Sequence, residues 1–191
     1  MRPGLESGTP ALARALACYR TRRCRSDEVE QITRLGQAAL GPSGHPGVEV
    51  LRARLDRSPS CASIVEHRQE GAARLAGYHV IYPLTRAACR EILAGRLARG
   101  SDLRPEHLTR RSSETGGLYI GMVYGTPTGL DRAAAVHSAR AAIANAFRES
   151  PKLGIVFARA ATAPGRRLIA QMGGRLIDAE RSEVWRLDAP V

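Results

Sequence analysis

The order of elements in the last third of the chain constrains its fold most. Gly117-Leu-Tyr-Ile-Gly-Met-Val-Tyr-Gly125 is an apolar, glycine-bounded run of the kind that forms a strand, and residues 126–133 follow as a loop carrying Gly129. Residues 133–147 then read as a long alanine-rich helix. A second apolar strand, Leu153-Gly-Ile-Val-Phe-Ala158, leads into a helix over Ala163-Pro-Gly-Arg-Arg-Leu-Ile-Ala-Gln-Met-Gly173. A strand pair around 175–177 and 184–187 closes the chain. Strand, loop, helix, strand, helix, strand is an order that places an anionic cofactor at a helix N-terminus, where unpaired backbone N–H groups point outward.

The first two thirds carry weaker signals. Residues 1–9 hold Pro3, Gly4 and Gly8, the composition of a loose leader, so a flexible tail over 1–17 and a single domain over 18–191 are expected. Tyr19-Arg-Thr-Arg-Arg-Cys24 reads as a polar strand. Ser26 then stands as an N-cap, with Asp27 and Glu28 in the first turn and Val29, Ile32, Leu35 and Ala39 at helical spacing. Gly41-Pro-Ser-Gly-His-Pro-Gly47 reads as a plain loop, and Val48, Leu51 and Leu55 share one face of a short helix. Cys61-Ala-Ser-Ile-Val-Glu66 and Arg74-Leu-Ala-Gly-Tyr-His-Val-Ile-Tyr82 make a hairpin, with Pro83 expected to stop its second strand. Residues 86–97 are helical by pattern, and 100–117 form a long polar loop.

Composition narrows the class. With 43% hydrophobic and 25% charged residues over 191 positions, the chain suits one globular domain with its own core. The net charge of +11 is almost wholly arginine, Lys152 being the only lysine. Arginine's planar fork suits phosphates and carboxylates. The arginines are spread along the chain, however, and aromatics at 4% are too few for a base-stacking platform. An RNA- or DNA-associated reading thus rests on charge alone, and nucleic acid is not expected as a partner. Cys18, Cys24, Cys61 and Cys89 lack metal spacing and the five histidines are scattered, so no metal site is expected. No apolar run approaches the roughly 18 residues of a membrane span. Glu6 and Arg14 give the N-terminal apolar segment the wrong charge order for a signal peptide. A cytoplasmic protein with reduced thiols and no membrane association is expected.

The C-terminal order of elements resembles the Gcn5-related N-acetyltransferase (GNAT) family. So do the Arg-x-Arg strand running into an acidic helix start and the hairpin ending in Gly77-Tyr-His-Val-Ile-Tyr82. The resemblance spans roughly residues 18–188 and implies an α/β fold: a mixed, bent central sheet with helices on both faces. It also implies acetyl-coenzyme A, or another acyl-coenzyme A, as cofactor. In the family a loop of pattern Arg/Gln-x-x-Gly-x-Gly/Ala receives the pyrophosphate on its backbone N–H groups. A gap-free register lays Thr128, Gly129, Leu130, Asp131, Arg132 and Ala133 on that pattern, with Val123 on the strand before it. Ala133 meets the last position, Thr128 replaces the arginine or glutamine, and Asp131 replaces the central glycine. A carboxylate there repels phosphate unless its side chain turns away. Arg132 would compensate by pairing with Asp131 or with phosphate. The alternative is that Thr128 or Asp131 caps the helix, in which case Asp131→Gly would cost about 1 kcal/mol or less.

The family's catalytic acid is a tyrosine in a Tyr-x-x-x-Gly-Phe run, and the register that matches Gly173 puts Ile169 and Gly174 in place of tyrosine and phenylalanine. Tyr119, where family bases often lie, is a poor base with an ordinary pKa of about 10. Glu66, His79 and Tyr124 sit on the neighbouring strands, where a satisfied polar or wall role competes with catalysis. The catalytic acid and base are thus left unassigned. The resemblance implies an acyl-coenzyme A-dependent N-acyltransferase acting on a small-molecule or protein amine. The alternative is a non-catalytic module of the same fold that binds a ligand or partner. The sequence sets no oligomeric state.

Overall fold

A computed structural model describes residues 10–41, 45–97, 99–110, 112–150, 152–177 and 183–188. The leader over residues 1–9 lies outside the described residues. The rest of the expected tail opens with a short helix, α1 (Pro10–Ala15), and Leu16 behind it packs against Val65, Ala76 and Ala134. Seven strands form one sheet in the order β1-β2-β3-β4-β5-β7-β6. They are β1 (Tyr19–Arg23), β2 (Ala62–Gln69), β3 (Ala72–Leu84), β4 (Gly117–Gly125), β5 (Ile155–Arg159), β6 (Arg175–Leu176) and β7 (Val184–Asp188). Every pairing is antiparallel except β4 with β5, which is parallel. The expected mixed sheet is thus present.

Helices cover both faces. On one lie α2 (Val29–Leu40), α3 (Val48–Arg57) and α4 (Arg86–Leu93), packed on Tyr78, Val80, Tyr82 and Tyr119. On the other lie α5 (Gly129–Glu149) and α6 (Ala163–Gln171), packed on Ile81, Leu118, Val156 and Leu187. Strand residues alternate between these two cores, as a period of two requires.

Several boundaries differ from expectation for local reasons. The helix α2 is preceded by a 3-10 turn over Ser26–Glu28, and Ser26 makes no capping bond. The expected helix over 86–97 ends at Leu93, where Gly95 turns the chain at φ 73°. Pro83 does not stop β3, which runs on to Leu84. By that point β2 has ended, its register with β3 closing at Ala62↔Val80, and on the side β2 has left Pro83 needs only its carbonyl, which accepts the Thr109 N–H at 3.0 Å, so its missing N–H breaks no β2–β3 or β3–β4 pairing. The long polar loop is held down by buried Leu103 and Leu108 and by a bridge between Leu84 and Leu108.

The helix α5 starts four residues before the expected position. Its buried face is small, with Ala134, Ala135, Ser138 and Ala139, and small residues let the helix approach the sheet closely. Glycines on the strands answer it. A Cβ on Gly125 would stand 2.5 Å from the Arg132 Cα, and one on Gly77 would stand 3.1 Å from the Ala135 Cβ of α5.

Candidate functional site

The loop from Thr126 into α5 is built around a buried carboxylate. Thr128 is the N-cap, its hydroxyl accepting the Asp131 N–H at 3.2 Å. Asp131 does not cap. Its side chain turns into the protein, is fully buried, and accepts from the Tyr19 hydroxyl at 2.7 Å, from Arg74 at 2.7 and 3.0 Å, and from the Thr126 hydroxyl. Burial pushes this carboxyl up, but the bonds from Arg74, Thr126 and Tyr19 outweigh it and hold it well below the usual carboxylate range. The pairing expected of Arg132 is therefore made by Arg74, on β3, and Arg132 stands exposed.

With Asp131 withdrawn, the outer rim of the helix end is open. Gly129 and Leu130 are exposed, and a Cβ on Gly129 would meet nothing within 4 Å. Their amides belong to the first turn, which has no intrahelical partner to offer. Ala133 is half-buried behind them, and Val123 is a partly buried β4 residue packed toward the α5–α6 core. The loop residues thus share the mouth of α5, except that Asp131 faces the interior.

Beside that mouth the sheet opens. The strands β4 and β5 pair only over Leu118–Ile120 and Val156–Ala158. Gly121 is the extra residue of a β-bulge, since Val80 pairs with Met122 and Ile81 with Ile120. A bulge bends its strand, and here it sends Tyr119 and Met122, three residues apart, into the same core. From Gly121 onward β4 has β3 alone as its partner, while Arg159 at the end of β5 pairs with β7. A pocket of about 80 Å³ lies at this parting on the α2–α3 face, with Tyr82, Tyr119, Arg54 and His45 among its lining.

Two of those residues escaped sequence reasoning. Arg54 is fully buried, with Nη1 donating to the Tyr82 hydroxyl at 3.0 Å and Nη2 to the Ser101 carbonyl at 3.1 Å and to that of Leu103. The available signal was its place on the apolar face of α3, three residues after Leu51. His45, read as part of a plain loop, is buried over Gly36 of α2, where any Cβ would meet its ring at 2.1 Å. A glycine in mid-helix was the clue. Burial holds the His45 pKa below its ordinary value, and Nδ1 lies 2.9 Å from the Pro46 carbonyl oxygen.

The catalytic candidates do not gather at the parting. Ile169 is buried in α6, with no hydroxyl to donate. Glu66 is tied to Arg22 at 2.6 Å and to Arg68 at 3.2 Å, and Arg22 chiefly holds its carboxyl low, so it is no base. Tyr124 stacks at 5.4 Å on Tyr78, a wall residue. Tyr119 does line the pocket, and burial first of all pushes its phenol up to about 12.

His79 lies on the opposite face, against α5. Its Nε2 is 3.0 Å from the Ser138 hydroxyl, itself 2.7 Å from that of Thr21, and Nδ1 has no partner among the described residues. Burial lowers its pKa from 6.5 to about 4. Protonation therefore opposes folding. The stabilising effect of a neutral His79 is whole above about pH 6.5 and is lost as pH falls toward 4, a loss on the order of 3 kcal/mol. His79→Gln should flatten melting temperature against pH across that window. An unaltered slope in the variant would show that another group titrates there.

No family model matches the sequence, and a search of curated proteins finds no relative. Solved structures do match. GphF, a GNAT-like decarboxylase solved with isobutyryl-CoA, is similar at TM-score 0.56 and 19% identity, over 87% of this chain and 96% of that one. A GNAT family acetyltransferase from Brucella melitensis in complex with acetyl-CoA is similar at TM-score 0.53 and 14% identity, over 91% and 89%. This chain has the GNAT fold. N-acetylglutamate synthase from Neisseria gonorrhoeae, complexed with coenzyme A and L-arginine, carries the same fold in part. It matches at TM-score 0.55 and 16% identity over 90% of this chain and 33% of that one. Among the described residues no helix is long and apolar enough to cross a membrane.

Proposed function

We propose that this chain binds an acyl-coenzyme A at the mouth of α5 and transfers the acyl group to an amine. The observation that carries this reading is the parting of β4 from β5 at Gly121, next to a helix end whose one carboxylate is turned inward and paired. Similar folds solved with isobutyryl-CoA, acetyl-CoA and coenzyme A support it. Gly129 and Leu130 would hold the pyrophosphate on their amides, and exposed Arg132 would add a cation beside them. Val123 would line the path from there into the parting. Bound coenzyme supplies the activated acyl thioester. The chain itself supplies position, which is a large part of the rate of a two-reactant transfer. In the pocket the Tyr82 hydroxyl is engaged by Arg54, whereas Tyr119 keeps its proton at neutral pH and would offer a leaving sulfur a hydrogen bond rather than a ready proton, since burial makes it a weaker acid than an ordinary tyrosine.

Calorimetric titration with acetyl-CoA tests the binding step, and release of free thiol with a panel of amines tests the transfer. Gly129→Val adds bulk where phosphate approaches, in space the fold leaves empty. Affinity should fall about tenfold, roughly 1.4 kcal/mol, with the melting temperature unchanged. Unaltered affinity in that folded variant would move the site elsewhere. Ile169 at the family's tyrosine position favours a second reading, a binding module without turnover. Tight acetyl-CoA binding with no thiol released by any amine would select it.

A further inference from the structure

The pocket at the parting of β4 and β5 has an unusual charge. Arg54 lines it, is withdrawn from water, and has no carboxylate partner among the described residues. Its guanidinium carries five N–H donors. Tyr82 and the carbonyls of Ser101 and Leu103, all neutral acceptors, take donors on Nη1 and Nη2, and the buried Nε has no partner. A cation removed from water is costly unless an anion faces it. Arg99, on the rim, is exposed and likewise makes no ion pair among the described residues. Arg159, a third arginine of the lining, is already matched by Glu183 at 2.7 Å. Asp102, in the loop beside the rim, is exposed and turned to its own loop, accepting the Arg99 backbone N–H at 2.9 Å and the Ser101 hydroxyl at 3.3 Å. No acidic side chain lines the pocket among the described residues. At about 80 Å³ the space equals two to three waters, enough for a carboxylate and one or two carbons.

We infer that this pocket is a carboxylate site, with Arg54 at its base and Arg99 at its rim. Which molecule brings the carboxylate rests on the acyl-transfer reading above. It belongs either to the acceptor amine, as in an amino acid, or to the far end of a dicarboxylic acyl group. Both present the same short anion to the same two guanidinium groups.

The first test needs no coenzyme. Calorimetric titration of the full chain with malonate and with malonamide, at matched ionic strength, should show malonate binding at least tenfold tighter. Arg99→Gln, which alters only an exposed side chain, should weaken malonate about tenfold at an unchanged melting temperature. Equal affinity for the two probes, or no binding of either, overturns the inference, as does unchanged malonate affinity in Arg99→Gln. Arg54→Gln should abolish malonate binding if it folds, and the Arg99 variant decides the matter if it does not.

The second test finds the source. Malonyl-CoA binding at least tenfold tighter than acetyl-CoA places the carboxylate on the acyl group. Equal binding of the two, with a KM for β-alanine at least tenfold below that for β-alaninamide, places it on the acceptor. Binding of acetyl-CoA with neither preference overturns any part for the site in acyl transfer. Malonate binding without binding of any coenzyme A thioester leaves the carboxylate site standing and removes the acyl-transfer reading.

Discussion

Asp131→Asn should destabilise the fold by about 3 kcal/mol, because it leaves donors from three elements without their shared anion. For a chain of this size that is a drop of roughly 6–12 °C in melting temperature. The amide has one carbonyl oxygen for donors from Tyr19, Arg74 and Thr126, and its NH2 group turns toward groups that also donate. The same variant should change the acid limb of stability. The folded carboxyl is depressed, so its contribution is present above the unfolded value near pH 4 and is lost as pH falls below it. The variant should lose stability less steeply below pH 4 than the parent. A melt within 2 °C of the parent would refute the network. Read from sequence, Asp131→Gly restores a small residue beside phosphate at little cost. In the folded chain it instead deletes the acceptor that joins β1, β3 and the start of α5.

Gly125→Val should be at least as damaging. The new Cβ would stand 2.5 Å from the Arg132 Cα and 2.7 Å from both the Arg132 nitrogen and the Asp131 carbonyl oxygen, all backbone atoms that cannot swing aside. Either α5 lifts from the sheet or the end of β4 bends. Overpacking of this kind costs about 3 kcal/mol and sometimes more. Gly129→Val, four residues on, is the control: it meets nothing and should stay within about 0.5 kcal/mol of the parent in urea unfolding. Equal midpoints for the two variants would show that α5 does not sit as tightly on the sheet as these distances require.

How much of this was legible depends on the range of the interaction. The runs 117–125 and 153–158 announce β4 and β5 because strand character is written in neighbouring residues. The start of α5 lies four residues before 133 because Thr128, offered by the sequence only as the alternative to a cofactor contact, is the cap that ends the loop. Pro83 misled because its effect depends on where β2 stops, which no local pattern states. Asp131 was the hardest. Its partners Tyr19 and Arg74 lie 112 and 57 residues away, so a buried hub looked like a misplaced charge in a phosphate loop. Arg54 was half legible, as an arginine on an apolar helix face, yet the loop carbonyls that hold it come 47 and 49 residues later.

The short ladder between β4 and β5 has a mechanical consequence. Among the described residues, three parallel pairs make the backbone ladder between the meander β1–β4 and the C-terminal trio β5, β7 and β6. Apolar packing also crosses this joint, since Ile155 and Phe157 share a core with Tyr82 and Tyr119, and Val156 shares one with Ile81 and Leu118. Whatever fills the gap beyond Gly121 meets Tyr119 of β4 and Arg159 of β5 together, so it adds side-chain contact across the joint where the ladder has stopped.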